Sequence, residues 1–277
     1  MPLHRVNFAG NGIKKVTMNH LVPCLSFVVG FWTGGISQNS TWMTEQHDHF
    51  LIFYQANDRP DIPDYLVMIS QGIQQTSAFF HEPFSQPFDV YIHPNRLSLD
   101  STWQSDWGMP EFQSECWMVA SGVAAKLDLM APRTWDSLAC EHRYDDSLST
   151  QQLITHELVH VFHGQHHPSP DFSTVNGIDW LIEGMAVFVS GQCDPSRMVA
   201  VKEALRENNL PGHLADFWSG KLRYGLSGSM VMYLDHRYGR DQLYRMLAIT
   251  DLTSLLSELG TTEPKLLEEW RKYMEQM

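Results

Sequence analysis

The 277 residues are 43% hydrophobic and 18% charged, a balance that suits one globular domain of generous size, or two small lobes, with a full apolar core. The formal charge of -13, from 19 Lys+Arg against 32 Asp+Glu, sets a field that repels phosphate backbones and anionic lipid surfaces, so it argues against nucleic acid as a partner. Four cysteines (Cys24, Cys116, Cys140 and Cys193) lack any C-x-x-C spacing, which argues against a thiolate zinc knuckle or a dithiol redox motif.

In chain order, the first signal is the apolar run LVPCLSFVVGFW at residues 21–32, preceded by Arg5, Lys14 and Lys15 and followed by small and polar residues. That is the layout of a secretory signal, and the run is short of the ~20 residues that a membrane span needs. Residues 1–40 are therefore expected to be a signal peptide or N-terminal extension, with residues 41–277 as the working domain in the periplasm or beyond the cell; the alternative is a buried first strand, with its Pro23 and no A-x-A cleavage site, in a cytoplasmic protein. No stable membrane insertion of the mature chain is expected. Removal of Cys24 would leave three cysteines, enough for one bridge and one free thiol.

From residue 41 onward the first half carries strand signals. Short aromatic and β-branched runs at 50–54 (FLIFY) and 88–92 (FDVYI), and the alternating stretch 123–130 (VAAKLDLM), predict three strands. Between the first two, Leu66, Ile69, Ile73 and Phe80 recur at helical spacing, which predicts a helix over 65–81. The second half is helical. Ser149-x-x-Gln152 predicts a capping box that opens a helix over about 150–163, ended by Gly164; Asp179 is expected to cap a helix over 180–190, and Pro195 to start one that runs to about 208. Further helices are predicted at 227–238, 241–249 and 263–274. The fold expected is α+β, with a sheet-containing lobe at 41–149, a helical lobe at 150–277 and the functional site between them.

The chemistry concentrates in HELVH at residues 156–160, on the first of those helices. Positions four apart on a helix differ by only about 40° in direction, so His156 and His160 leave one face and can converge on one ion. Glu157 is offset by about 100°, beside the ion rather than on it, where a carboxylate can take a proton from an attacking water. A catalytic zinc needs a third protein ligand and an open fourth position. Glu183 stands alone among apolar residues in WLIEGMA at 180–186, and an isolated acid in such a run is costly to bury unless it is paired or metal-bound.

Together, HELVH and WLIEGMA resemble the gluzincin metallopeptidases, in which H-E-x-x-H on one helix is followed by W-L-x-E-G-x-A on the next. The resemblance extends loosely from about residue 41 to the end of the chain. It implies a zincin-like fold with a small mixed sheet, one zinc ion held by His156, His160 and Glu183, and Glu157 as general base. It further implies that a tyrosine ahead of a later helix donates to the oxyanion; Tyr224 matches, with Tyr233 and Tyr238 as alternatives. A competing third ligand is His166, placed like the last His of the metzincin pattern H-E-x-x-H-x-x-G-x-x-H. That pattern needs Gly where this chain has His163, so Glu183 is preferred.

The activity this implies is hydrolysis of peptide or protein substrates, with an extended peptide pairing along the strand at 125–129. No G-A-M-E-N-like motif precedes the zinc helix, which favours an endopeptidase over an aminopeptidase. Two rivals share the same residues: an idle zinc-binding or interaction protein on this scaffold, and a metal-dependent hydrolase of a non-peptide bond.

Overall fold

The computed structural model describes residues 41–277, so the signal-like run at 21–32 and Cys24 lie outside the described residues. A hairpin of β1 (Met43–Gln46) and β2 (Phe50–Tyr54) leads into α1 (Ile62–Phe80), β3 (Phe88–His93) and α2 (Arg96–Trp107). A second hairpin, β4 (Ala120–Val123) and β5 (Lys126–Met130), is followed by the single turn α3 (Trp135–Leu138). The remainder is helical: α4 (Ser147–His166), α5 (Asp179–Val189), α6 (Pro195–Arg206), α7 (Arg223–Tyr238), α8 (Arg240–Met246), α9 (Leu252–Glu258) and α10 (Glu263–Gln276). This is an α+β arrangement on a five-stranded mixed sheet of order β1-β2-β3-β5-β4.

β2, β3 and β5 run parallel, and the antiparallel strands β1 and β4 close the two edges. Phe50, Ile52 and Tyr54 of β2 and Phe88, Val90 and Ile92 of β3 are buried in alternation, as the two-residue period of a strand requires. Helix α1 packs against α4 and adds Tyr65, Ile69, Ile73 and Phe80 to the same apolar cluster; Leu66, expected on that face, is only partly buried. One apolar cluster runs from Phe50 to Met274, so the sheet-bearing and helical halves share a core rather than holding one each.

Several expected elements are corrected. The single strand expected over 123–130 is a hairpin, because the chain leaves the ladder at Ala124, whose N–H donates to Pro170 O at 3.1 Å. The strand at 125–129 is consequently interior, flanked by β3 and β4, and the edge beside α4 belongs to β4. Met130 N–H donates to Val119 O at 2.8 Å. By the alternation of an antiparallel ladder, the amides of Ala120 and Gly122 therefore point off the free side.

Helix α4 opens three residues earlier than the capping box implied: Asp146 is its cap and accepts from Ser149 N–H at 3.1 Å. It also runs past Gly164 to His166. Asp179 lies inside the first turn of α5 rather than capping it. Helix α7 begins at Arg223, four residues ahead of the expected start, which places Tyr224 in its first turn rather than before it. Helices α2 and α9 and strands β1 and β4 carry too few buried apolar residues to show in the pattern; α2, for example, buries only Leu99 and Trp103.

Two glycines allow the close contacts that set α4 and α5 in place. A Cβ at Gly122 of β4 would collide with Glu157 O and come within 3.1 Å of His160 Cβ, so only glycine lets the edge strand lie on the turn of α4 that carries the motif. A Cβ at Gly184 would fall 2.5 Å from Ser227 O, so α5 packs against α7 backbone to backbone. The Gly122→Ala variant is expected to lose about 1–3 kcal/mol by overpacking. Thermal denaturation should register this as a drop of about 2–4 °C per kcal/mol in Tm. An unchanged Tm would mean that β4 does not rest on α4 as described.

Candidate metal centre

The cluster is built from two adjacent helices. His156 and His160 project from the same face of α4 one turn apart, and Glu183 comes from α5, which packs beside it. The facing atoms form a nearly equilateral triangle: His156 Nε2 to His160 Nε2 is 3.1 Å, His156 Nε2 to Glu183 Oε2 is 3.4 Å, and His160 Nε2 to Glu183 Oε2 is 3.5 Å. Ligands ~2.0–2.2 Å from a tetrahedral ion stand about 3.3–3.5 Å apart, so the three atoms already have the spacing of one face of such a site. All three residues are buried, at 7%, 2% and 5% exposure, and this group can hold a metal ion.

Electrostatics favour the protonation states that a cation requires. Burial alone would raise the Glu183 carboxyl, but His160 and His156 beside it outweigh that and hold it well below the usual carboxylate range. Burial, opposed by Glu183, lowers His160. His156 Nδ1 lies 3.1 Å from Gln192 Oε1, an oxygen that can only accept. The Nδ1–H therefore donates to Gln192, and the lone pair of Nε2 is left to face the cluster. Gln192 is in turn carried by the segment after α5, tied to α4 by Gln152 Nε2–H donating to Gly191 O at 2.9 Å.

The other expected residues fall around this triangle. Glu157, 7% exposed, lines the cleft next to His156, and its Oε2 has no hydrogen-bond partner among the described residues. Tyr224 lines the same cleft; burial and the nearby Glu183 raise its phenol, so it stays a proton donor. Tyr233 does not reach the site, since its hydroxyl donates to Glu269 at 2.8 Å on the far side of α7, and Tyr238 is likewise absent from the cleft lining. His166 is also elsewhere: its Nδ1 bonds Phe162 O at 2.8 Å and its ring packs on Tyr244. His163 and His167 repeat the four-residue spacing without a carboxylate, and their Nε2–H groups donate instead to Leu247 O and Ile249 O, at 3.1 and 2.9 Å.

Sequence reasoning did not find the rest of the cleft wall, which includes Trp117, His142, Arg197, Trp218 and Arg223. These sit on irregular segments or in first turns, where no periodicity marks them. A disulfide joins Cys116 to Cys140, Cα to Cα 5.4 Å, and among the described residues Cys193 is the one free cysteine. The bridge fastens the segment that carries Trp117 to the one that carries His142, whose Nε2–H donates to Trp117 O at 2.9 Å. Burial lowers His142.

Neither models of known protein families nor curated proteins give a match to this chain. The side chains themselves carry the functional argument.

The cluster makes a direct statement about metal content. One divalent ion per chain is expected, with His156→Ala, His160→Ala and Glu183→Ala each losing it, and His166→Ala retaining it, as read by elemental analysis after dialysis. Gln192→Ala, which frees the His156 ring, should weaken affinity by about 10–100-fold. An ion lost from His166→Ala but kept in Glu183→Ala would point to a different ligand set.

Proposed function

We propose that the protein is a zinc-dependent peptidase with a zincin-like fold, in which Glu157 is the general base and Tyr224 the oxyanion donor. The observation that carries this reading is the coincidence, in one cleft, of a two-nitrogen, one-oxygen ligand triangle with a buried carboxylate, Glu157, whose Oε2 has no hydrogen-bond partner among the described residues. A donor set of two neutral imidazoles and one carboxylate at tetrahedral spacing suits zinc. Zinc bound there supplies a Lewis acid for the scissile carbonyl and lowers the pKa of a water toward ~7.

The chain's own residues do the rest. Glu157 lies on the cleft side of α4, one residue from a ligand, so its free oxygen can take a proton from the attacking water and pass it to the leaving amine. Tyr224 keeps its proton because burial and Glu183 oppose ionisation, and it can therefore donate to the oxygen on which negative charge develops. The free side of β4 offers the outward amides of Ala120 and Gly122 for pairing with an extended peptide, which would run antiparallel or parallel along the cleft wall formed by Met118 to Ala120. A backbone-pairing edge favours cleavage within a chain, which supports an endopeptidase. The Cys116–Cys140 bridge supports a working location outside the reducing cytoplasm.

Two kinetic outcomes test the proposal. Glu157→Gln should abolish hydrolysis of a mixed peptide library while metal content stays at the parent level, because the amide keeps the shape but cannot accept the proton. Tyr224→Phe should lower kcat on the order of a hundredfold with little change in KM, since a donor aimed at developing charge acts mainly on the transition state. Full turnover in the Glu157 variant would remove that residue from the mechanism. A Tyr224 variant as fast as the parent would leave the metal as the sole stabiliser of the oxyanion.

A further inference from the structure

The cleft lining holds two arginines in different situations. Arg197 is engaged: its guanidinium donates to Gln192 O at 2.7 Å and lies 3.9 Å from Asp194. Arg223, the first residue of α7, is held by rings. Its guanidinium sits 4.9 Å from the Trp117 ring centre, 5.4 Å from Trp218 and 5.1 Å from Tyr224. Its Nε is sealed from solvent without a hydrogen-bond partner, and no carboxylate among the described residues lies within ion-pairing distance of the group.

The enclosure is itself built. Trp117 is fixed by its indole N–H donating to Glu115 at 2.6 Å, and Trp218 meets Tyr224 edge-on with ring centres 4.9 Å apart. Aromatic faces stabilise a guanidinium and restrict its rotamers without neutralising its charge. Helix α7 also starts without a side-chain cap, so the partial positive charge of its first turn adds to the same wall. An acidic protein therefore keeps one pre-oriented, uncompensated cation on the lining of its cleft.

We propose that Arg223 is a specificity-determining residue that binds a carboxylate of the peptide substrate, supplied by the C-terminus or by an Asp or Glu side chain. The inference rests on the reading of this cleft as the place where a peptide lies. A planar guanidinium held by rings matches a carboxylate in geometry and loses little conformational freedom on pairing with it. None of the carboxylates that line the cleft pairs with Arg223: Asp194 caps α6 and pairs with Arg197, Glu183 faces His156 and His160, and neither Glu141 nor Glu157 comes within ion-pairing distance of it.

The test measures binding rather than turnover, so that it stands apart from the hydrolytic reading. In the metal-loaded Glu157→Gln protein, one peptide is titrated as its free acid and as its C-terminal amide, and a second pair carries an internal Glu or Gln. Calorimetry gives the affinities, and the fluorescence of Trp117 and Trp218 reports engagement of the wall. At least one carboxylate form should bind on the order of tenfold or more tighter than its neutral counterpart, the size expected for one oriented charge pair. Adding Arg223→Gln should collapse that ratio, and Arg223→Lys should restore part of it, with metal content showing that both variants are folded.

The pair that shows the preference identifies the source of the carboxylate. Equal binding of acid and neutral forms, a ratio that survives Arg223→Gln, or no binding by any of the four peptides overturns the proposal. Parent protein that hydrolyses peptides without an acid preference would keep the peptidase reading and discard this one. Acid-selective binding without hydrolysis would do the reverse.

Discussion

Two imidazoles and a carboxylate facing one another across 3.1–3.5 Å in a nearly dry interior are the constraint on which the rest of the molecule depends. Polar groups so placed are costly unless something between them satisfies all three, and the helices must be held rigidly for that to happen. The close contacts serve this requirement. Gly122 brings the edge strand onto α4, Gly184 brings α7 onto α5, and Gln192 fixes the ring of His156. At the far end of α4, His163 and His167 tie the helix to the carbonyls of the segment after α8. The helix is thus restrained in position, rotation and length by groups that take no part in the cluster.

That division explains why His163 and His167 share the spacing of His156 and His160 but not their chemistry. Spacing along a helix determines only that two side chains share a face. What they do depends on what the neighbouring chain offers them: backbone oxygens in one case, a carboxylate from α5 in the other. A pair of histidines that meets carbonyls is saturated as a donor, whereas a pair that meets an anion retains lone pairs for an ion.

The cluster was legible in the sequence because it follows from helical geometry and from one conspicuous acid in an apolar run. The parallel core strands β2 and β3 were legible because aromatic and β-branched residues crowd into two short runs whose alternate positions are buried. The edges were not. Strands β1 and β4 are four residues each, and β4, with Ser121 and Gly122 at its centre, has no apolar alternation to read. The break between β4 and β5 depends on a bond from Ala124 to Pro170, forty-six residues away, which no local pattern encodes. The cleft wall was hidden by the same non-locality. Trp117, His142 and Arg223 belong to three separate segments and acquire a common role only when the chain brings them together.

The position of the disulfide separates two properties that would otherwise rise and fall together. The ring it closes, between Cys116 and Cys140, contains the β4–β5 hairpin but neither α4 nor α5, so every ligand of the cluster lies outside it. A covalent tie over 24 residues restricts the open chain by about 3 kcal/mol, and that restraint acts on the wall. Protein made in a reducing host would therefore keep all three ligands on helices outside the ring, while the wall and the β4 strand that rests on α4 stay loosely tethered. Such material would still carry the ion-binding side chains yet lack a fixed cleft, and oxidative refolding, rather than added metal, would be the remedy.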